Sequence, residues 1–191
     1  MCPAPTRTTD AAIVAAARAL LERDGPAGVT MQAVAAAVGV RAPSLYKRIA
    51  DRAALLRVIE AEALADLAAR MQALAGPPAR LAARRMAEAY RAFARESPRT
   101  YAMLFAPEGW DEAGDTARAR AVAPVLAVTG ALAGQGDALA AARLFTAFLH
   151  GWVSMELAGA FRLGGDVEAA FAYALEATID GIEARRAAAR V

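Results

Sequence analysis

The chain is poor in the side chains on which most enzymes and metal sites depend. Its 191 residues include one cysteine, one histidine and one lysine. Cys2 therefore has no disulfide partner within the chain, and a cysteine-based metal site is excluded. His150 has no second histidine with which to share a metal ion, and Glu156, six residues further on, projects from a different helical face. We expect no metal and no cofactor.

Strand patterns are also missing, because no long stretch alternates apolar and polar residues with β-branched enrichment. Hydrophobic residues make up 58% of the chain but aromatic residues only 6%. The difference is largely alanine, the strongest helix former. The composition predicts an all-α protein. Ser154 follows His150 by four residues, but a pair on one helix lacks the strained turn and oxyanion donors of a hydrolase, so no enzyme is expected.

Targeting and membrane signals are equally scarce. The N-terminal residues 1–10 lack the apolar run of a signal peptide. The longest uncharged run, residues 121–136, is interrupted by a proline and two glycines and is too short to span a bilayer. A cytoplasmic protein with no membrane partner is the simplest expectation.

A modest positive charge is concentrated near the N-terminus. Residues 1–56 hold seven basic and four acidic residues, a balance of +3, whereas the remainder holds 15 basic and 16 acidic residues, a balance of −1. This asymmetry agrees with a phosphate-facing surface at the N-terminal end, although a solvated helical surface with a slight bias would also produce it.

The positive end coincides with a helix-turn-helix pattern over residues 30–52. Thr30 is a suitable N-cap for a helix that begins at Met31, and Gly39 can end that helix in the left-handed conformation. Pro43 suits the first turn of a second helix, on which Leu45 and Ile49 should face the core. The remaining side chains of the second helix should lie outside and suit a DNA major groove. They are Arg41, Ala42, Ser44, Tyr46, Lys47 and Arg48.

The segment GVRAPSLYKRIADRAALL resembles the recognition-helix region of the TetR-type bacterial repressors. The matching residues are Gly39, Val40, Leu45, Tyr46, Ile49 and Arg52. An amphipathic helix near residues 9–24 extends the resemblance over roughly the first quarter of the chain. The family often has Phe at position 49 and Lys-Gly where Ala42-Pro43 stands here, a departure that concerns the contacted bases more than the fold.

The resemblance implies a division into a helix-turn-helix DNA-binding domain of three helices, residues 1–55, and a larger helical domain for effector binding and dimerisation, residues 56–191. About nine helices are expected in all. Thr30, Tyr46 and Arg52 would then contact DNA phosphates. Base edges or the adjacent backbone would be contacted by the following residues: Arg41, Pro43, Ser44 and Lys47. An N-terminal arm, residues 1–7, could reach the minor groove through Arg7.

The remainder of the chain shows further helical patterns separated by Gly and Pro breaks. Helices are expected from Asp51 to about Ala75, over residues 81–95, after Ser97-Pro98, and up to Gly134, where Pro124 must start or kink the helix. Two long final helices should cover residues 137–161 and 166–186. Residues 107–115 are acidic and contain glycine, so we expect a loop anchored by Trp110.

Aromatic residues are concentrated in this second part. A plain core is one interpretation of this cluster. The family has a ligand cavity among the equivalent helices, however, and a small apolar or amphipathic effector is the favoured interpretation. His150 is expected to be a hydrogen-bonded core or pocket-wall histidine. The candidate effector contacts are Tyr90, Phe93, Tyr101, Phe105, Phe148, His150, Trp152 and Glu156.

The last helix carries a continuous apolar stripe, and the two final helices are apolar over more surface than a small domain can hide. The family resemblance implies a homodimer formed by a four-helix bundle of these helices, which would set two recognition helices on a palindromic operator. The predicted interface residues are Val167, Phe171, Leu175, Thr178 and Ile182. The segment LHGWVSMELAGAF, with His150-Gly151, Glu156, Gly159 and Phe161, is similar to one subset of the family's C-terminal domains.

The pattern thus predicts a ligand-responsive transcriptional regulator, most simply a repressor. A helical small-molecule-binding or scaffold protein, in which the N-terminal motif is only a packing device, is the alternative. DNA binding without any effector is a third possibility, and it differs only in whether the aromatic region is hollow.

Overall fold

The computed structural model describes residues 9–106 and 112–188, and this part of the chain contains nine α-helices and no strand. The all-α prediction is confirmed. Two short 3-10 turns, Pro26–Gly28 and Gln135–Asp137, precede α2 and α8. In chain order the helices are α1 (Asp10–Asp24), α2 (Met31–Ala37), α3 (Ala42–Tyr46), α4 (Arg52–Leu74), α5 (Ala79–Glu96), α6 (Pro98–Leu104), α7 (Glu112–Ala133), α8 (Ala138–Leu157) and α9 (Val167–Ala188).

The helices form two compact units. The N-terminal unit combines α1, α2, α3, the first half of α4 up to Ala63, and α6. Its core is built from the apolar stripe of α1, the inner faces of α2 and α3, and the start of α4. Burial of these aliphatic side chains is the main force that holds such short helices, which would not be stable alone. The fully buried members include Ile13, Leu21, Val29, Val34, Leu45, Leu55 and Ile59.

The C-terminal unit contains the rest of α4, α5, and the helices α7, α8 and α9. Its centre is formed by Met86 and Phe93 from α5, Phe145 from α8, and Ile179 and Ile182 from α9, all at most 2% exposed. The α5, α8 and α9 helices pack against one another around these side chains. The residue spacing on each helix places the larger side chains on one buried face.

Two boundaries differ from the sequence prediction, the start of α7 and the end of α8. The helix α7 already begins at Glu112, inside the segment expected to be a loop, and Pro124 lies within it rather than at its start. The helix α8 ends at Leu157 instead of residue 161, because Gly159 adopts a φ of +64° and stops the helix. The predicted arm with Cys2 and Arg7, and the predicted anchor Trp110, lie outside the described residues.

One segment, Gln135–Leu157, is long and apolar enough to cross a membrane by length and composition. The central helix of a folded helical domain meets the same criterion. Phe145, Leu149 and Val153 are buried inside the C-terminal unit. Since 28% of the segment's apolar window is buried, packing within this unit accounts for only part of the segment's apolar character.

Candidate functional sites

The turn between α2 and α3 has the geometry that the sequence predicts. Gly39 takes a φ of +71°. Its N–H donates to the carbonyl of Ala36 at 3.2 Å, and the N–H of Val40 donates to the carbonyl of Ala35 at 2.9 Å. These bonds satisfy carbonyl groups that the helix end would leave unpaired. The turn directs the chain into α3 at a fixed angle.

The helix α3 is anchored by one face and presents the other to solvent. Leu45 is 1% exposed and Ile49, just beyond the helix, is 8% exposed. Ala42, which the sequence places among the outer residues, is half-buried and packs against the N-terminal core. The exposed face of α3 and its flanks is formed by Arg41, Pro43, Ser44, Tyr46, Lys47 and Arg48. We call these six residues the α3 outer face.

Thr30 caps α2 as predicted. Its hydroxyl oxygen accepts the N–H of Ala33 at 3.1 Å. The same hydroxyl keeps its own O–H as a donor, and the residue is exposed. The side chain can therefore cap the helix and still donate to an acceptor in solvent, such as a phosphate oxygen.

Two predicted DNA contacts have partners within the chain. Arg48 Nη1 forms an ion pair with the Asp10 carboxylate at 2.5 Å, which links the end of α3 to the start of α1. Arg52 donates from Nε to the Val29 carbonyl at 2.8 Å and from Nη2 to the Pro26 carbonyl at 2.5 Å. These carbonyls offset the unfavourable position of a cation at a helix N-terminus. Arg52 thus braces the turn before α2, and its phosphate contact stays a prediction.

Sequence reasoning missed the role of Glu22. Its carboxylate accepts the backbone N–H groups of Thr100 at 2.7 Å and Arg99 at 3.1 Å. These are donors that the first turn of α6 cannot pair internally. The contact caps α6 from α1 and explains why α6 belongs to the N-terminal unit.

The predicted effector residues are divided between the two units. Tyr101 and Phe105 belong to the N-terminal unit, where their ring centroids lie 5.1 Å apart. Tyr90 and Phe93 are buried in α5 of the C-terminal unit. His150 is half-buried in α8, and burial lowers the pKa of its imidazole, which is therefore neutral at pH 7.

The C-terminal unit brings four rings together in a cluster formed by Phe148, Trp152, Phe161 and Phe171. The ring centroid of Trp152 lies 4.7 Å from that of Phe161 and 5.5 Å from that of Phe171. Phe148 stacks on Phe171 at 6.1 Å with an interplanar angle of 14°. Aromatic pairs at these distances add to the stability gained from burial.

Glu156, a candidate effector contact, is held by two arginines. Its side chain is 14% exposed and accepts two hydrogen bonds of 2.7 Å from Arg91, one from Nε and one from Nη2. Arg95 donates to the same carboxylate. The hydrogen bonds from Arg91 hold the pKa of Glu156 below its usual range, so this carboxylate is ionised. The positive charges of Arg91 and Arg95 balance its negative charge within the chain.

The predicted dimer stripe of α9 is largely buried within the single chain, and its part in dimerisation stays a prediction. Phe171, Leu175 and Ile182 are only 5%, 4% and 2% exposed within the single chain. Val167 and Thr178, the other two predicted interface residues, are half-buried.

The outward faces of α8 and α9 are nevertheless apolar. On α8, Leu144 and Met155 are exposed. On α9, Tyr173 is 79% exposed and lies in line with Ala177 and Gly181, which are exposed as well. The bulky residues of α9 point inward, while mainly small residues are left outside, where they allow another helix to approach closely.

Comparison with known proteins places this geometry in a family. A family model described as bacterial regulatory proteins of the tetR family matches residues 13–59. A second model, described as the tetracyclin repressor-like C-terminal domain, matches residues 83–178. The chain belongs to the TetR family of bacterial regulatory proteins, and it is a DNA-binding transcriptional regulator.

A curated relative supports the assignment over most of the chain. It is an uncharacterised helix-turn-helix-type transcriptional regulator of Mycobacterium tuberculosis, 33% identical over 159 residues, which cover 81% of this chain and 73% of the relative. The resemblance found in the sequence is therefore confirmed at the level of the family.

Solved structures show the same fold. A protein of unknown function from Rhodococcus sp. RHA1 has a TM-score of 0.80 at 24% identity, and the match covers 94% of this chain and 97% of that one. A TetR variant from Acinetobacter baumannii AYE, crystallised with minocycline, has a TM-score of 0.68 at 20% identity, covering 94% and 99%. At these identities the likeness concerns the fold alone.

Proposed function

We propose that the protein is a cytoplasmic repressor that binds a palindromic operator as a homodimer and leaves it when a small apolar or amphipathic effector binds. The observation that carries the proposal is the α3 outer face. Leu45 and Ile49 fix α3 on the N-terminal core, and the opposite side presents three cations and two hydroxyl groups to solvent. A short helix of this kind fits a major groove.

Each residue of this face has a proposed role in DNA binding. Arg41, Pro43, Ser44 and Lys47 meet base edges or the adjacent backbone, while Thr30, Tyr46 and Arg52 position the protein on phosphates. Arg48 reaches DNA only if it shares or leaves its ion pair with Asp10.

Dimerisation is supported by the exposed apolar faces of α8 and α9. Two copies of these helices can pack as a four-helix bundle, an isologous contact in which the same patch appears on both sides. Such a dimer relates two recognition helices by a two-fold axis, as a palindrome requires. Leu144→Glu places a charge in this face and should yield a monomer in sedimentation experiments. If this variant is still a dimer, the exposed faces of α8 and α9 do not form the dimer interface.

Release of the protein from DNA requires an effector that binds more tightly to one conformation of the dimer than to the DNA-binding one. In the favoured conformation the two recognition helices are wrongly spaced for the major groove. Only such a difference in affinity shifts a conformational equilibrium. The proposed contacts in the C-terminal unit are Tyr90, Phe93, Phe148, His150 and Trp152. The other predicted effector contacts, Tyr101, Phe105 and Glu156, stay predictions.

The experiment that tests the proposal is fluorescence anisotropy of the protein's own upstream DNA at several salt concentrations. Lys47→Ala should weaken binding and reduce the slope of log affinity against log salt by about 1 if Lys47 neutralises one phosphate. Arg57→Ala, which removes an exposed cation from α4, is the matched control and should change binding less. Wild-type protein that ignores this DNA at low salt would contradict the proposal.

A further inference from the structure

A groove of about 400 Å³ runs between α5 and α9 in the C-terminal unit. Its volume is within the range of small-molecule sites. The walls combine apolar surface with guanidinium and carboxylate groups. Apolar surface comes from Ala92, Phe171 and Leu175, guanidinium groups come from Arg84, Arg91 and Arg95, and carboxylates come from Glu88, Glu168 and Glu176. None of these residues was assigned to an effector by the sequence prediction.

The guanidinium group of Arg91 is rigidly held, whereas the side chain of Arg95 is 46% exposed. Arg91 has a side chain that is only 6% exposed, and its guanidinium carbon lies 4.4 Å from the ring centroid of Phe171. One edge of Arg91 is occupied by Glu156, itself 14% exposed. A planar guanidinium fixed by an aromatic ring and a buried carboxylate has its second edge set in a single direction.

That second edge is occupied by Glu168, whose side chain is 63% exposed. Arg91 donates to it from Nη1 at 2.5 Å and from Nη2 at 3.1 Å, and Arg95 donates from Nη2 at 2.7 Å. Glu168 therefore demonstrates that the pair accepts a carboxylate with forked geometry. Because it is exposed on the first turn of α9, Glu168 can leave without unpacking the core, whereas Glu156 cannot.

We propose that this groove binds the carboxylate of an acidic, amphipathic small molecule, which takes the position of Glu168 on Arg91 and Arg95. The apolar part of the molecule lies along Ala92, Phe171 and Leu175. This inference rests on the proposed function, since the molecule is the effector of the regulator, and it replaces a generic amphipathic effector by an organic acid.

The matched probes are 4-phenylbutyrate and 4-phenylbutanol, which differ in the carboxylate. The chain has two tryptophans, so Trp110→Phe leaves Trp152 as the sole indole. Trp152 reports on the groove because its ring lies 5.5 Å from Phe171, which lines it. The indole N–H of Trp152 is also buried with no hydrogen-bond partner among the described residues.

In the Trp110→Phe background, the acid should change Trp152 fluorescence saturably and bind at least roughly tenfold more tightly than the alcohol, because it gains a charge-assisted fork. Arg95→Gln should weaken acid binding roughly tenfold. Glu168→Gln should strengthen it, because the internal competitor loses its charge. Arg85→Gln, which changes an exposed residue of α5 outside the groove lining, is the control and should leave the affinity unchanged.

Equal affinity for acid and alcohol overturns the inference. So does the absence of a fluorescence change at an acid concentration of about 10 mM, which would detect even weak binding. So does a change of oligomeric state in Arg95→Gln, which would make the groove an interface between copies. DNA binding by the unliganded protein is measured separately. Operator binding without acid binding removes only this inference, whereas acid binding without DNA binding removes the repressor proposal and leaves the site.

Discussion

The cations of the α3 outer face and the arginines of α5 are placed differently, although Arg48 of the outer face also pairs with a carboxylate, that of Asp10. In the helix-turn-helix, Arg41 and Lys47 lie at the surface, and neither has a carboxylate partner among the described residues. In the C-terminal unit, Arg91 is buried beneath α9 and shared between Glu156 and Glu168. Cations left at the surface can neutralise a nucleic acid, whereas paired cations hold helices together.

The same contrast separates the forces that stabilise each unit. The N-terminal unit relies on a compact aliphatic core and on capped helix ends. The C-terminal unit adds two arginine–carboxylate networks along the seam between α5 and α9. Substitutions in the seam should therefore alter stability, while substitutions on the α3 outer face should alter DNA affinity with little effect on stability.

The largest effect is expected from Arg91→Ala. It leaves the nearly buried Glu156 carboxylate without its forked partner, and an uncompensated buried charge of this kind costs about 3 kcal/mol of unfolding free energy, at the lower end of the usual range because Arg95 remains. Urea denaturation followed by circular dichroism measures the loss. Replacing both Arg91 and Glu156 by Met should recover most of it, because the charge and its partner are removed together. A double variant as unstable as Arg91→Ala would contradict this explanation.

Gly39→Ala tests the turn between α2 and α3 in the N-terminal unit. A side chain at a φ of +71° is strained even though a Cβ would have open space there. The expected cost is about 1–2 kcal/mol in urea denaturation, together with weaker DNA binding because the turn sets the direction of α3. Gly39→Asn is the control, since Asn tolerates the left-handed conformation better. Equal stability of the Ala and Asn variants would show that the turn relaxes.

Glu22→Ala removes the side-chain cap of α6. The expected loss is about 1 kcal/mol, in the range of other helix caps. The specific signature is faster hydrogen exchange at the amides of Arg99 and Thr100, which Glu22 protects. Glu22→Gln keeps an acceptor oxygen and should retain part of the protection. Unchanged exchange at these two amides in the Ala variant would contradict the assignment.

Local features of the fold could be predicted from the sequence because neighbouring residues determine them. The Thr30 cap, the Gly39 turn and the inward spacing of Leu45 and Ile49 all depend on contacts within a few residues. Periodicity likewise identified the stripe of α1. These features define the helix-turn-helix and hence the α3 outer face.

Contacts between distant residues could not be predicted in this way. The Arg48 to Asp10 pair spans 38 residues, and the Arg91 to Glu156 pair spans 65. Arg91 recurs with Arg84 and Glu88 on the polar side of α5, a spacing that predicts exposure, but Glu156 of α8 and Glu168 of α9 pair with it there. Periodicity also finds the apolar stripe of α9 without telling whether its own chain or a partner covers it, and Phe171 of this stripe is only 5% exposed within its own chain.

The smallest expected effect concerns pH and the second network of the seam. Hydrogen bonds from Arg84 lower the pKa of Glu176 from 4.5 to about 2. A carboxylate whose pKa is lower in the folded state contributes stability above the unfolded pKa, and this contribution disappears as the pH falls from 4.5 towards 2. Its partners are partly exposed to solvent, so the contribution is small and screened by salt.

Glu176→Gln should therefore lower the melting temperature at pH 6 by no more than roughly 2–4 °C. The difference from wild type should shrink between pH 4.5 and pH 2, because both proteins are then neutral at this position. Glu62→Gln, at an exposed position of α4, is the control for loss of a surface carboxylate. If the difference in melting temperature between Glu176→Gln and wild type stays constant over this pH range, the variant acts through packing. The ion pairs of Glu176 would then not contribute to the stability of the C-terminal unit.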